Sequence, residues 1–169
     1  NNNFTSSLLV DNNTIWIGTE KGGVNILSPS QNFFGHIGNI PSNPINAIFE
    51  DKDGDLFVGV VEGGVHIRKK GSAEIINSYA RIGSSNSLSH NSASCIAQDF
   101  NGDYWIGTWG MGINRLRYKD KYRPVFEQFV YNEPSRGILS NFVAALAPDN
   151  VNKGLWIGTR EGIDFLDVN

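Results

Sequence analysis

A five-residue segment recurs four times along this chain, and that repetition limits the fold more than any other feature. The copies read Ile-Trp-Ile-Gly-Thr, Leu-Phe-Val-Gly-Val, Tyr-Trp-Ile-Gly-Thr and Leu-Trp-Ile-Gly-Thr. Their shared glycines lie 41, 48 and 51 residues apart, at Gly18, Gly59, Gly107 and Gly158. Repeats of this length are typical of architectures in which one small sheet is copied around an axis.

The surroundings of each core segment repeat as well. In the second copy, an apolar stretch at 45–49 leads to a turn that begins at Asp51, and a glycine turn at 63–64 leads to a second apolar stretch. Short runs rich in β-branched and aromatic residues, bounded by Gly, Asn and Asp, predict strands. No stretch shows a helical period. A fourth apolar stretch closes the first three copies, at 33–34, 75–79 and 125–130.

Each repeat therefore predicts a four-stranded antiparallel sheet. Four such sheets predict an all-β fold, a partial β-propeller of about four blades whose last blade is incomplete. We place the blades at about 1–36, 37–80, 81–131 and 132–169, within one domain. The repeated aromatic residues are predicted to fill the gaps between blades. The glycine after each of them is predicted to allow a close approach of two backbones. These structural core residues are Trp16, Gly18, Phe57, Gly59, Trp105, Gly107, Trp156 and Gly158.

Composition excludes several functional classes. The net charge of −3 does not fit a nucleic-acid-binding surface. No apolar run approaches the 18 or so residues that a membrane helix needs, so contact with a membrane is expected only through other parts of a parent protein. The single cysteine, Cys95, excludes an intrachain disulfide and a cysteine-based zinc site. No metal or cofactor is predicted.

One acidic segment has the spacing of a calcium loop. Asp51, Asp53, Asp55 and Glu62 fit the first, third, fifth and twelfth positions of such a loop. The sixth position, which requires glycine, holds Leu56. We therefore prefer a hairpin turn through Asp-Gly over a calcium site.

Loops on one side of the predicted propeller carry the candidate ligand-binding residues. The links between blades and the turns after each second strand share that side, and binding residues concentrate in such loops. Trp109 departs from the repeat, because the equivalent positions hold Glu20, Val61 and Arg160. An exposed Trp can stack on a sugar ring and donate a hydrogen bond. The full candidate set is Trp109, Met111, Arg160, Glu20, Lys21, His90, Asn91 and Arg136.

The repeated pattern Asp-x-x-Gly-x-aromatic-Trp-Ile-Gly-Thr, followed by glycines, resembles the two-component regulator propeller repeat. The inter-blade segments 86–91 and 137–141 fit the same family. The resemblance implies a segment of the periplasmic sensor region of a hybrid two-component histidine kinase of the Bacteroidetes type, anchored in the inner membrane. Such receptors respond to oligosaccharides and switch on genes for glycan use. The resemblance also implies more blades in the parent protein than this chain contains.

Open blade faces and the absence of a catalytic motif leave two alternatives. Four blades of a larger ring form an arc with two apolar faces, which predicts contact with further blades or self-association. The segment could accordingly serve as a non-catalytic interaction or dimerisation scaffold. A propeller-type lyase or hydrolase would need a clustered acid-base set, and the sequence offers none that is readable. The segment itself is therefore predicted to be non-catalytic.

Overall fold

The computed structural model describes most of the chain. The described residues are 4–11, 14–21, 23–27, 34–72, 75–80, 86–131 and 137–168. Within them the chain forms antiparallel strands, and one 3₁₀ turn at Tyr118–Asp120 is the helical element. No helix among these residues has the length and apolar character needed to span a bilayer.

The strands form four separate sheets, and within each sheet the spatial order follows the chain. The first sheet contains β1 (Thr5–Asp11), β2 (Thr14–Thr19), β3 (Val24–Leu27) and β4 (Phe34–His36). The second contains β5 (Ile45–Glu50), β6 (Leu56–Val60), β7 (Gly64–Arg68) and β8 (Ile75–Tyr79). The third contains β9 (Ala93–Gln98), β10 (Tyr104–Thr108), β11 (Ile113–Leu116) and β12 (Phe126–Phe129). The fourth contains β13 (Val143–Asp149), β14 (Gly154–Thr159) and β15 (Gly162–Asp167).

This architecture confirms the predicted fold class. The chain is all-β, with four antiparallel meander sheets, and the fourth sheet has three strands. The outer strand of the first sheet lies at Phe34–His36, slightly beyond the predicted 33–34. The first strands of successive sheets contact one another, so they line the inner side of the arc.

The recurring aspartate shapes the turn that leads to the core strand, as the second sheet shows. In the second sheet, Asp51 Oδ1 accepts the N–H groups of Asp53 and Asp55, both at 2.9 Å. Gly54, at φ +82°, donates its N–H to the Asp51 carbonyl over 2.8 Å. Only a residue that tolerates a left-handed backbone closes this turn without strain. The hairpin that the sequence favoured over a calcium loop is therefore present.

The core lies between sheets. We define the forward face of a sheet as the side toward the next sheet along the chain, and the backward face as the side toward the preceding one. Trp105 is fully buried on the forward face of the third sheet, in one apolar cluster with Leu155 and Ile157 of the fourth. On the forward face of the second sheet, Phe57 stacks on Tyr104 with ring centroids 4.8 Å apart.

The core glycines allow the next sheet to approach. A Cβ on Gly107 would lie 2.7 Å from Val143 Cγ1 of the fourth sheet. A Cβ on Gly59 would lie 3.3 Å from Ala93 Cβ of the third sheet. Carbon contacts are favourable near 3.5–4.0 Å, so a side chain at Gly107 would push the sheets apart.

Candidate functional site

The exposed Trp109 lies at the junction of the third and fourth sheets. It follows β10 directly and forms an antiparallel bridge with Phe142, which precedes β13. Its N–H donates to the Ser92 carbonyl over 3.1 Å. The two aromatic side chains are 51% and 46% exposed. The bridge therefore holds two large rings, one from each sheet, at the surface.

Asn141 holds the surrounding loops together. Its carbonyl accepts the N–H groups of Gly110 and Gly112 at 3.0 and 2.9 Å. Its side-chain Oδ1 accepts the N–H of Tyr131 over 2.8 Å. One residue thus connects the turn after β10 with both ends of the link that joins the third sheet to the fourth.

A shallow groove of about 560 Å³ opens at this position, and we call it the aromatic groove. Arg160 borders it, with its guanidinium carbon 5.6 Å from the centre of the Phe142 ring. The backbone N–H of Arg160 donates to the Phe142 carbonyl. The groove combines exposed aromatic surface with a cation and a carboxylate. Its lining residues are Gly110, Tyr131, Leu139, Ser140, Asn141, Phe142, Arg160 and Glu161.

One of the predicted ligand-binding residues, Arg160, lines this groove. Trp109 lies beside it, bridged to Phe142 of the lining. Met111 lies on the same turn as Trp109, and its N–H donates to Thr108 Oγ1. His90 belongs to the segment that leads to Ser92, where its Nδ1 accepts the Ser92 N–H over 2.9 Å.

Other candidates lie elsewhere. Glu20 and Lys21 are exposed on the corresponding turn of the first sheet and do not line the groove. Asn91 uses its carbonyl to accept the Gly64 N–H of the second sheet over 2.6 Å. Arg136 falls outside the described residues. The described members of the predicted set therefore do not form one site.

Two exposed aromatic residues were missed as ligand candidates. Tyr131 and Phe142 border the link between the third and fourth sheets, and both expose about half of their surface. The sequence analysis already expected binding residues in the links between blades. The aromatic residues at the two ends of this link could therefore have been named as candidates.

A second cluster of functional groups joins the second and third sheets, and we call it the lysine cluster. Lys121 Nζ lies 2.7 Å from Asp51 Oδ2, 3.0 Å from Asp53 Oδ2 and 2.8 Å from Asp55 Oδ2. The hydroxyl groups of Tyr104, Tyr118 and Tyr122 donate to the same three carboxylates. The ammonium group thus occupies the place that the acidic spacing suggested for calcium. Among the described residues, no group of three or more His, Cys, Asp or Glu side chains could hold a metal ion.

Charge pairing dominates the electrostatics of the lysine cluster. The hydrogen bond from Lys121 holds the pKa of Asp53 below its ordinary value. Burial acts to raise the pKa of Asp55, but hydrogen bonds from Lys121, the Lys70 N–H and Tyr122 lower it overall. Burial alone would lower the pKa of Lys121, and its bonds to the aspartates outweigh that effect and raise it. The cluster is therefore an ion-pair network that joins two sheets.

Comparison with known proteins identifies the repeat. Residues 39–61 and 87–110 match the sequence profile of the two component regulator propeller family. A comparison with curated protein sequences gave no significant match.

Solved structures share the fold at low sequence identity. The extracellular domain of BT3049 from B. thetaiotaomicron, assigned to a hybrid two component system, is 21% identical with a TM-score of 0.74. The extracellular domain of BT4673 from the same organism, also assigned to such a system, is 19% identical with a TM-score of 0.55. The Swd1 β-propeller domain of Myceliophthora thermophila is 14% identical with a TM-score of 0.68.

These alignments cover nearly all of this chain and only part of each neighbour. The shares of this chain are 96%, 96% and 98%, and the shares of the neighbours are 20%, 28% and 51%. This chain therefore spans about a fifth of the BT3049 domain. Together with the profile match, the comparisons confirm the resemblance stated from the sequence: the chain carries two-component regulator propeller repeats, at residues 39–61 and 87–110.

Proposed function

We propose that this chain is a ligand-sensing segment of a hybrid two-component sensor histidine kinase and works in the periplasm, as part of an ectodomain anchored in the inner membrane. The family repeat and its extracellular structural neighbours support this proposal. The ligand is an oligosaccharide, and its binding changes the transcription of glycan-use genes through the kinase.

The aromatic groove is the observation that carries the ligand assignment. Tyr131 and Phe142 line one opening, and Trp109 lies beside it, bridged to Phe142; each of the three exposes about half of its surface. Exposed rings with a polar rim suit the apolar face and hydroxyl edge of a sugar, because ring faces stack while polar groups accept and donate hydrogen bonds. Arg160 and Glu161 supply charged groups at the rim.

Signalling would proceed by population shift. A ligand that contacts both the turn after β10 and the link before β13 binds best to one arrangement of the third and fourth sheets. The ligand favours that arrangement by the difference between its affinities for the two states. Asn141 connects the same two loops, so it would transmit the change between sheets.

Catalysis receives no support from the groove. Hydrolysis of a glycosidic bond normally requires two carboxyl groups on opposite sides of the bond. Among the described residues that line the aromatic groove, Glu161 is the only carboxylate.

Binding to an array of neutral and uronic-acid-containing oligosaccharides tests the sensor proposal. We expect at least one array member to bind, and Trp109→Ala to weaken that binding about tenfold, which corresponds to roughly 1.4 kcal/mol. Trp156→Ala is the matched control, because Trp156 is also partly exposed but lies on the forward face of the fourth sheet. Equal affinities of wild type and Trp109→Ala for that oligosaccharide would remove the groove from the binding site.

A further inference from the structure

Two basic segments of the chain meet beside the lysine cluster. Residues 68–70 read Arg-Lys-Lys at the end of β7, and residues 117–123 read Arg-Tyr-Lys-Asp-Lys-Tyr-Arg between β11 and β12. Together they carry half of the 14 lysine and arginine residues of a chain whose net charge is −3. Positive charge is therefore concentrated where the second and third sheets adjoin.

A groove of about 560 Å³ opens between these segments, and we call it the basic groove. Both of its sides are supplied by this chain, with Lys69 and Lys70 on the second sheet and Lys119 on the 3₁₀ turn of the third. Four lysines and two aspartates line it, which gives a local charge of +2, and a cleft of one charge sign attracts ligands of the opposite sign. The remaining lining residues belong to the lysine cluster and are Asp53, Asp55, Tyr118, Lys121 and Tyr122.

The two carboxylates of the lining already have partners. Asp55 Oδ2 accepts hydrogen bonds from Lys121 Nζ and the Tyr122 hydroxyl over 2.8 and 2.7 Å. Asp53 Oδ2 accepts hydrogen bonds from Lys121 Nζ and the Tyr118 hydroxyl over 3.0 and 2.8 Å. These bonds hold the carboxylates within the lysine cluster, so they do not neutralise the other lysines of the groove.

Those other lysines keep their charge at the surface. Lys69, Lys70 and Lys119 are exposed, and in the part of the chain that the structure describes none of them forms an ion pair. Burial raises the pKa of Glu50, and the charge of Lys70 acts against that rise without pairing with the carboxylate. Three cations thus border one groove and can bind an anionic group together.

An aromatic ring lies beside these cations. Tyr122 is 52% exposed, and its hydrogen bond to Asp55 fixes the ring before any ligand arrives. A sugar can stack its apolar face on such a ring while its polar groups reach the neighbouring charges. An inorganic anion would leave the ring and most of the groove unused. The combination of cations and a fixed ring therefore suits a sugar that carries negative charge.

We propose that the basic groove is a second ligand site and binds an acidic sugar, one that carries a carboxylate or a sulfate group. The sugar ring stacks on Tyr122, and the anionic group pairs with the three exposed lysines. This site and the aromatic groove lie at opposite ends of β10, since Tyr104 begins that strand within the lysine cluster and Trp109 follows its end. The proposal is therefore independent of ligand binding in the aromatic groove.

Calorimetric titration of this chain with trigalacturonate and with galactotriose tests the proposal, because each galacturonate has a carboxylate where galactose has a hydroxymethyl group. We expect trigalacturonate to bind about tenfold more tightly, since hydrogen bonds between charged groups are stronger than neutral ones. Added salt should reduce this difference, because ions screen the attraction. A sulfated disaccharide, titrated in parallel, shows which anionic group the site prefers. If neither acidic sugar binds, or if galactotriose binds as tightly as both, the proposal is wrong.

Charge variants locate the bound sugar. Lys69→Gln and Lys119→Gln each remove one exposed cation from the groove and are expected to weaken acidic-sugar binding about fivefold. Arg123→Gln is the matched control, because it removes an exposed cation from the same basic segment but outside the groove lining. It should bind like wild type. An equal loss in all three variants would overturn the proposal, since attraction by overall charge would then account for the binding.

Ring variants separate stacking from charge and one site from the other. Tyr122→Leu should weaken binding of the acidic sugar, whereas Tyr122→Phe keeps the ring and should bind nearly as wild type does. Trp109→Ala changes the aromatic groove and should leave this binding unchanged. Loss of acidic-sugar binding in Trp109→Ala, with none in Lys69→Gln or Lys119→Gln, would place the sugar in the aromatic groove and overturn the second site.

Discussion

The junction between the second and third sheets and the junction between the third and fourth sheets are built differently. The former adds an ion-pair network to its aromatic stack, since Lys121 reaches from the third sheet to Asp51 and Asp55 in a turn of the second. The latter depends on the apolar cluster around Trp105 and on loop hydrogen bonds through Asn141.

Under the function proposed above, this difference sets a charged junction against an apolar one on which a ligand would act. A buried lysine with three carboxylate partners resists separation, because moving the sheets apart would leave charges unpaired in a poorly solvated place. An apolar contact has no such directional requirement. The aromatic groove lies over the second kind of junction, so the proposed ligand would act on the arrangement of the third and fourth sheets.

Removing Trp105 should produce the largest effect and isolate the apolar junction. Trp105→Ala is expected to lower the free energy of unfolding by about 4 kcal/mol, from lost burial and the cavity left behind. Trp156→Ala, the equivalent change on the forward face of the fourth sheet, should cost about 1 kcal/mol. Urea unfolding at low protein concentration measures both. Similar losses would mean that the two faces are covered alike.

Removing Lys121 tests the charged junction. Lys121→Met is expected to cost about 3 kcal/mol, because Asp51 and Asp55 stay buried without their cation, while the partly exposed Asp53 contributes less. Lys119→Met changes an exposed lysine of the same 3₁₀ turn and should be nearly neutral. If both variants unfold at the wild-type urea concentration, the network does not hold the second and third sheets together.

Replacing a core glycine with alanine tests how closely two neighbouring sheets approach each other at each junction. Gly107→Ala should destabilise by about 2 kcal/mol, because its Cβ would overlap Val143 and Cys95. Gly59→Ala should cost less, about 1 kcal/mol, because its Cβ would lie 3.0 Å from Ala47 Cβ and 3.3 Å from Ala93 Cβ, and the lost flexibility of the unfolded chain offsets part of that strain. Thermal unfolding of both variants shows which one loses more stability. A larger loss for Gly59→Ala than for Gly107→Ala would contradict this prediction.

Acid should weaken the charged junction selectively. The pKa values of Asp53 and Asp55 are lowered in the folded chain, so their contribution to stability is present above the ordinary aspartate value. It is lost as the pH falls through their folded pKa values. The unfolding midpoint of wild type should therefore fall more steeply below about pH 4 than that of Lys121→Met. If the unfolding midpoints of wild type and Lys121→Met fall equally with pH, the lysine cluster does not cause the loss of stability in acid.

Most features that were predicted from the sequence are ones that repeat, and the lysine cluster, which occurs once, was missed. Strand order, the Asp-led turn and the inter-blade Trp and Gly positions follow from local patterns that occur several times. Lys121 occurs once, and 66 residues separate it from Asp55. No local pattern could join the two, and the contact exists because the third sheet carries an extra turn, Tyr118–Asp120, beside the hairpin of the second.

The candidate site was predicted only in part for the same reason. Trp109 was found because it departs from the repeat. Phe142 and Tyr131 have no counterpart with which to compare them, and their position near Trp109 depends on the bridge from Trp109 to Phe142 and on the bond from Tyr131 to Asn141. Glu20 and Lys21 were included by analogy between blades, but they lie on the first sheet, away from the groove.

Cys95 gives the junction between the third and fourth sheets a built-in chemical reporter. Its thiol lies opposite Gly107 on the forward face, and burial raises its pKa to about 11. Cys95 is partly exposed, and its protonated thiol reacts slowly with alkylating reagents, so labelling at neutral pH should speed up when the two sheets move apart. Because the chain has no other cysteine, a change in the rate of alkylation reports a change at this one junction in the native protein. A ligand that holds the third and fourth sheets together would slow that reaction without any label having to be introduced.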